Sequence, residues 1–251
     1  MASVQYERSL WREKYERFDF VFEGRKAILV RPEKEKANGR WLLKTVYFDA
    51  FQDLEEALVS RGFHLAYLDN HNRWGTADDL DAKARFRDLL VQEFGLSEKC
   101  VPIGMSCGGL HAIKQAARYP DMVEMLYLDA PVVDQLSCPM GFGVGSGIAV
   151  SAQQEMLDAL GLTRAQMIAY RDHPLDNIPK LIEKRIPLVL VWGDSDTIVP
   201  FEENGLHVKT AYEQTDIPAL FIGKAGCDHH PHGPYDMQPV IDFIMNGGNA
   251  E

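Results

Sequence analysis

The stretch Lys99–Leu110 reads KCVPIGMSCGGL and contains Gly104-Met105-Ser106-Cys107-Gly108, a G-x-S-x-G pentapeptide. The apolar run ending at Ile103 predicts a strand, and the residues from Leu110 to Tyr119 predict a helix. Ser106 therefore falls at a sharp strand-to-helix turn. Glycines two residues to either side let the strand and helix approach closely. A turn this tight holds its serine in a strained conformation, with the hydroxyl exposed above the sheet and the next backbone N–H aimed at a reacting oxygen. The pentapeptide alone arises by chance in roughly one chain in ten of this length, so its strand–turn–helix setting and its partners carry the reading.

Those partners lie downstream. Leu188–Trp192 (LVLVW) predicts a short buried strand that runs into Gly193-Asp194-Ser195-Asp196-Thr197-Ile198-Val199-Pro200. Ala219–Ile222 predicts another, running into Gly226-Cys227-Asp228-His229-His230-Pro231-His232-Gly233. A serine, an acid and a histidine thus each follow the C-terminal end of a strand. Asp194 and Asp196 compete as the acid, and Asp194 has the alternative of binding amides of its own turn. His229, His230 and His232 compete as the base; His229 comes first after the strand and is favoured.

Outward from these segments, short apolar strands alternate with helices, which predicts an α/β architecture with a mostly parallel sheet covered on both faces. Phe18, Phe20 and Phe22 alternate with polar neighbours, Gly24-Arg25 can turn, and Ala27–Val30 is apolar, which predicts an N-terminal hairpin. Strands are expected at Trp41–Thr45, His64–Leu68 and Met125–Leu128, and helices at Phe51–Ser60 and Thr76–Phe94. The total is about eight strands. Residues from about 131 to 186 interrupt the alternation with a glycine-rich loop, Gly141–Gly147, and helical patterns at Ala152–Leu160, Arg164–Tyr170 and before Pro187. They read as a short helical cap inserted into one domain spanning 1–251, with the loop as a lid hinge.

The chain has 251 residues, 46% hydrophobic and 25% charged, as expected of one globular domain. A formal net charge of −11 argues against nucleic-acid and anionic-membrane partners. No apolar run reaches the length of a membrane span, and the N-terminal residues lack the apolar core of a signal peptide, so a cytoplasmic location is expected. The four cysteines, Cys100, Cys107, Cys138 and Cys227, match no zinc spacing and are expected to be reduced. Cys107 reads as a small side chain packed beneath the turn.

The pieces RWLLKTVYFDAF, RGFHLAYLDNHNRWG, IGMSCGGLHA, YLDAPVVD, VWGDSDTIVP and GCDHHPHG together resemble the α/β-hydrolase superfamily, and within it small bacterial serine hydrolases. The order serine, acid, histidine is that family's order. The resemblance covers nearly the whole chain. It implies an eight-stranded α/β-hydrolase fold and a serine hydrolase acting on a small-molecule carboxylic ester, without cofactor or metal. A peptidase or amidase with the same residues is the nearest alternative. A hydrolase-fold receptor or interaction protein with little turnover is a third. The family's G-x-x-D-x-x-V-P arrangement places the acid at Asp196. Its histidine usually follows a glycine, where this chain has Asp228.

An oxyanion hole needs two backbone donors. Cys107 supplies one, and the loop after Trp41–Thr45, at Val46 or Tyr47, is expected to supply the other, although it lacks the His-Gly pair many relatives carry. Substrate contacts are expected from loops at the C-terminal ends of strands, at Phe48, His71, Trp74, His230 and His232. Adjacent histidines with a proline between the second and third are not expected to converge on one ion.

Overall fold

The computed structural model describes residues 5–146 and 149–248. Among these, nine strands form one sheet in the order β1-β2-β3-β5-β4-β6-β7-β8-β9. β2 (Tyr15–Phe22) is antiparallel to both of its neighbours, β1 (Tyr6–Trp11) and β3 (Arg25–Val30), and β3 is antiparallel to β5 (His64–Leu68). From β5 onward the neighbours are parallel: β4 (Trp41–Lys44), β6 (Val101–Met105), β7 (Leu126–Asp129), β8 (Leu188–Gly193) and β9 (Ala219–Lys224).

The expected hairpin is β2–β3, closed by Glu23 and Gly24, both at positive φ (51° and 76°). That is the two-residue turn whose twist suits an antiparallel pair. The ninth strand is β1, which corrects the expected count of eight. Its sequence YERSLW shows no apolar alternation, and its first five residues are exposed. The turn into β2 places Arg12 and Glu13 at φ 53° and 56° with no glycine or asparagine to announce it.

Alternate residues of the central strands feed two cores on opposite faces, because successive side chains in a strand point opposite ways. Leu43, Leu126, Leu128, Leu188 and Leu190 join one cluster. It is covered by α2 (Ala77–Phe94), α3 (Cys107–Arg118), α6 (Pro174–Glu183) and α7 (Gly205–Glu213). Leu42, Ile103, Tyr127, Val189 and Val191 join the other, under α1 (Asp53–Val59) and α8 (Gln238–Met245).

Residues 131–186 divide in two. α6 sets Ile178 and Leu181 into the first cluster with Ala112, Ile113 and Ala116 of α3. By contrast, α4 (Val150–Leu160) and α5 (Arg164–Ala169) send Met156, Leu157 and Met167 into a third cluster with Trp74, Cys107, Leu110 and Val199. These two helices therefore adjoin the turn that carries Ser106. In the glycine-rich loop, the Val144 N–H donates to Glu203 Oε1 (2.8 Å) and the Ser146 N–H to the Thr197 carbonyl (2.9 Å). Gly147 lies outside the described residues. No described helix is long and apolar enough to cross a membrane.

Candidate active site

Ser106 sits between β6 and α3 at φ 54° and ψ −121°, a conformation that strains a residue with a Cβ. The crossing is close enough to require its glycines. A Cβ on Gly104 would lie 2.5 Å from the Gly108 carbonyl oxygen, and one on Gly109 would lie 2.4 Å from Pro131 Cβ. The Ser106 N–H donates to the Asp129 carbonyl at 3.0 Å, and the Ser106 carbonyl accepts from Gly109 (2.9 Å) and Val132 (3.1 Å). Backbone on both sides thus holds the turn.

The structure brings together three of the sequence-predicted residues in a relay. Ser106 Oγ lies 3.1 Å from His229 Nε2, and His229 Nδ1 lies 2.7 Å from Asp196 Oδ2. Both partners of the serine are buried, His229 at 4% and Asp196 at 8% exposure. The other Asp196 oxygen accepts the N–H groups of Ile198 (2.9 Å) and Val199 (2.8 Å), which fixes the carboxylate against the ring. The competition between the two acids is resolved by geometry. Asp194 Oδ1 accepts the Gly226 N–H at 2.7 Å and anchors its own turn.

Asp228, at the position where the resembling family has glycine, bridges the two loops. Its Oδ1 accepts the N–H groups of Thr197 and His229, each at 2.8 Å. Those backbone donors, Thr197 first, hold its carboxyl below the usual range.

Cys107 is the first residue of α3, so its N–H has no acceptor within the helix. The opposite wall is the loop after β4. Thr45 Oγ1 lies 2.8 Å from the Gly108 carbonyl oxygen, and Tyr47 is held at φ 57°. Val46 and Tyr47 therefore flank the turn. The Cys107 side chain is buried, and burial pushes its thiol pKa up against the pull of the Arg73 cation.

Three of the loop residues expected to contact substrate are engaged by the protein itself. Phe48 is buried in the core, with its ring 5.4 Å from Tyr67 and the Arg17 guanidinium 5.2 Å away. Trp74 is 1% exposed and packs in the third cluster with Cys107 and Leu110. Its loop is pinned from outside, where Arg73 pairs with Glu155 of α4 at 2.6 Å. His71 is engaged by Arg25 (3.2 Å) and Asp78 (3.0 Å), a network that fixes its loop.

His230 and His232, in contrast, stand beside His229, with ring centroids 4.8–5.0 Å apart among the three. One nitrogen from each lies within 4.8 Å of the other two. The proline therefore does not keep the three rings apart. Burial, followed by the neighbouring His229 and His232, lowers the His230 pKa.

Two residues at this site escaped the sequence reading. Asp129, the last residue of β7, accepts from His232 Nδ1 (3.1 Å), the Gly233 N–H (2.5 Å) and the Tyr127 hydroxyl (3.1 Å). Its signal was a carboxylate closing an apolar strand at the ligand-binding end of the sheet. Phe51, expected to begin a helix, instead adopts φ 48° before it. The Phe51 ring stacks on His230 at 5.7 Å and meets His232 edge-on at 5.1 Å. Nothing local signals that conformation.

No protein-family model matches the chain, and no curated protein matches it significantly. Solved structures do. A puromycin hydrolase aligns with a TM-score of 0.67 at 16% identity, over 98% of this chain and 39% of that one. The acylaminoacyl peptidase of Pyrococcus horikoshii aligns at 0.65 and 14%, over 96% of this chain and 41% of that one. Est1E from Butyrivibrio proteoclasticus aligns at 0.64 and 15%, over 92% of this chain and 98% of that one. The chain thus spans about two fifths of the length of the first two and nearly all of the third. Its fold is the α/β-hydrolase fold.

Proposed function

We propose that this chain is a serine hydrolase that cleaves a carboxylic ester of a small molecule through an acyl-enzyme on Ser106. The observation that carries the reading is the relay of 3.1 Å and 2.7 Å from Ser106 through His229 to Asp196, on a serine held at positive φ. A serine hydroxyl needs an adjacent base to attack. His229 Nε2 takes the Ser106 proton as Oγ bonds to the acyl carbon. Asp196 keeps Nδ1 protonated and stabilises the imidazolium. The Cys107 N–H, with Val46 or Tyr47 opposite, receives the oxyanion. The imidazolium then protonates the leaving alcohol. His229 next takes a proton from water as that water attacks the acyl-enzyme, and Ser106 is restored as the acid leaves.

α4, α5 and their loops serve as the cap, because their cluster includes Cys107, next to the nucleophile. A cap there narrows the acyl pocket and favours a short acyl group. An amide substrate is the second reading. Two of the matched structures are a puromycin hydrolase and an acylaminoacyl peptidase, and the same relay serves either leaving group.

The test is fluorophosphonate labelling of wild type, Ser106→Ala, His229→Ala and His230→Ala, read by intact mass. A single adduct that requires Ser106 and His229 is expected. Parallel turnover of short acyl esters and aminoacyl amides then ranks the two leaving groups. Folded wild type that takes no label would overturn the hydrolase reading and favour a receptor.

A further inference from the structure

From the geometry beside the relay we infer that His229, His230 and His232 form a binding site for a divalent transition metal of the zinc type. Its occupancy takes His229 away from Ser106 and switches the site off. The metal site stands apart from the proposed hydrolase activity; only its consequence for Ser106 rests on that reading.

Three features carry the inference. First, one ring nitrogen of each histidine lies within 4.8 Å of the other two. Zinc held tetrahedrally by imidazoles at about 2.0–2.1 Å needs nitrogens about 3.3 Å apart. His230 is the exposed member and makes no hydrogen bond through its ring among the described residues, so its side chain is free to rotate toward the other two, and small shifts of the three rings complete the closure.

Second, two of the rings are already set as metal ligands. His229 Nδ1 is bonded to Asp196 at 2.7 Å and His232 Nδ1 to Asp129 at 3.1 Å. A carboxylate on Nδ1 holds the proton there, which leaves Nε2 with its lone pair. That is the outer-shell arrangement found behind zinc-binding histidines. The two carboxylates are buried behind the rings, so a dication entering the cluster meets two compensating charges.

Third, Phe51 stacks on His230 at 5.7 Å and meets His232 edge-on at 5.1 Å, which backs the cluster with an aromatic ring on one side. His229 Nε2 also faces Ser106 Oγ, at 3.1 Å. The chemistry of inhibition is a competition for one lone pair. His229 Nε2 either accepts the Ser106 proton or donates its electron pair to the metal. With the pair donated, Ser106 has no base and its hydroxyl stays protonated.

The experiment uses the full chain, stripped with a chelator and then dialysed against known free Zn²⁺. Co²⁺ is used in a parallel series read by its visible absorption. Wild type is expected to bind one equivalent of Zn²⁺ and to give a Co²⁺ band. His230→Ala and His232→Ala are each expected to weaken binding at least tenfold. His207→Ala, at an exposed position of α7, is expected to leave binding unchanged. Fluorophosphonate labelling of Ser106 is followed in the same samples. Equimolar Zn²⁺ is expected to suppress it in wild type, with recovery on adding chelator.

Binding by wild type no tighter than by a folded His230→Ala/His232→Ala double variant overturns the site. Zinc bound through the histidines with labelling undiminished overturns the switch. Wild type that binds zinc but takes no label even in chelator retains the metal site and sinks the serine-hydrolase reading instead.

Discussion

His232 and Asp129 form a second imidazole–carboxylate pair, Nδ1 to Oδ1 3.1 Å, alongside His229 and Asp196. The two acids close or follow adjacent parallel strands, β7 and β8, and the two histidines belong to one loop after β9. Only His229 is bonded to Ser106, so the pairs are not equivalent. This asymmetry separates the role of each acid.

Asp196→Asn is expected to lower turnover by about 10⁴, because the imidazole loses the partner that sets its tautomer. Asp129→Asn disturbs a buried network and is expected to reduce stability by about 1–3 kcal/mol while Ser106 labelling stays within about tenfold. Asp194→Asn is expected to affect only its turn. The measurement is single-turnover labelling together with a thermal melt for each variant. Equal losses for Asp129→Asn and Asp196→Asn would show that the acid has been misassigned.

Ser106→Ala should fold normally and lose turnover by about 10⁴–10⁶, since nucleophile and base act as a unit. Ser106→Gly is the more telling change. Glycine adopts positive φ without strain, so this variant is expected to be inactive yet more stable than wild type by about 1–3 kcal/mol. A denaturant melt in which it is the less stable protein contradicts the strain assignment.

Gly104→Ala places a methyl group 2.5 Å from the Gly108 carbonyl. Neither strand nor helix can withdraw without opening the turn, so stability is expected to fall by about 1–3 kcal/mol or more, with loss of labelling. A stable, fully labelled variant would mean that the crossing is looser than described.

Phe48 and Trp74 are expected to behave as core residues. Phe48→Ala and Trp74→Ala should each cost about 3–5 kcal/mol of stability. Phe48→Leu should recover most of its loss and leave KM unchanged. A raised KM with an unchanged melting temperature in Phe48→Leu places that side chain in the substrate pocket instead.

His64 is buried at the start of β5, and burial lowers its pKa to about 4 from an ordinary 6.5. His111 is buried too, and burial drives its pKa well below the ordinary value. The unfolded chain therefore binds more protons than the folded one below pH 6.5. Stability is full above that pH and is lost as pH falls from about 6.5 towards 4, by about 3 kcal/mol for His64. Melts across this range are expected to show the loss, and His64→Gln should flatten part of it.

What the sequence determined by itself was local. The strand, turn and helix around Ser106 follow from an apolar run, three glycines and a helical pattern within a dozen residues, and the same logic placed Asp196 and His229 just past the ends of strands. The β2–β3 hairpin was legible for the same reason, although its turn is Glu23-Gly24, one residue earlier than the expected Gly24-Arg25, because Arg25 already pairs with Phe22. Tertiary structure decided the rest, because it depends on which distant groups meet. β1 is held by pairing with β2 rather than by its own pattern. Asp194 and Asp196 are told apart by whether Gly226 or His229 arrives beside them. Phe48 and Trp74 look like loop aromatics until the core closes over them. The meeting of Asp129 with His232, 103 residues apart, and of Phe51 with His230 is set by how the loops after β4, β7 and β9 pack together. Periodicity and turn chemistry encode neighbours along the chain; contacts between strand ends are fixed only when the sheet brings those ends side by side.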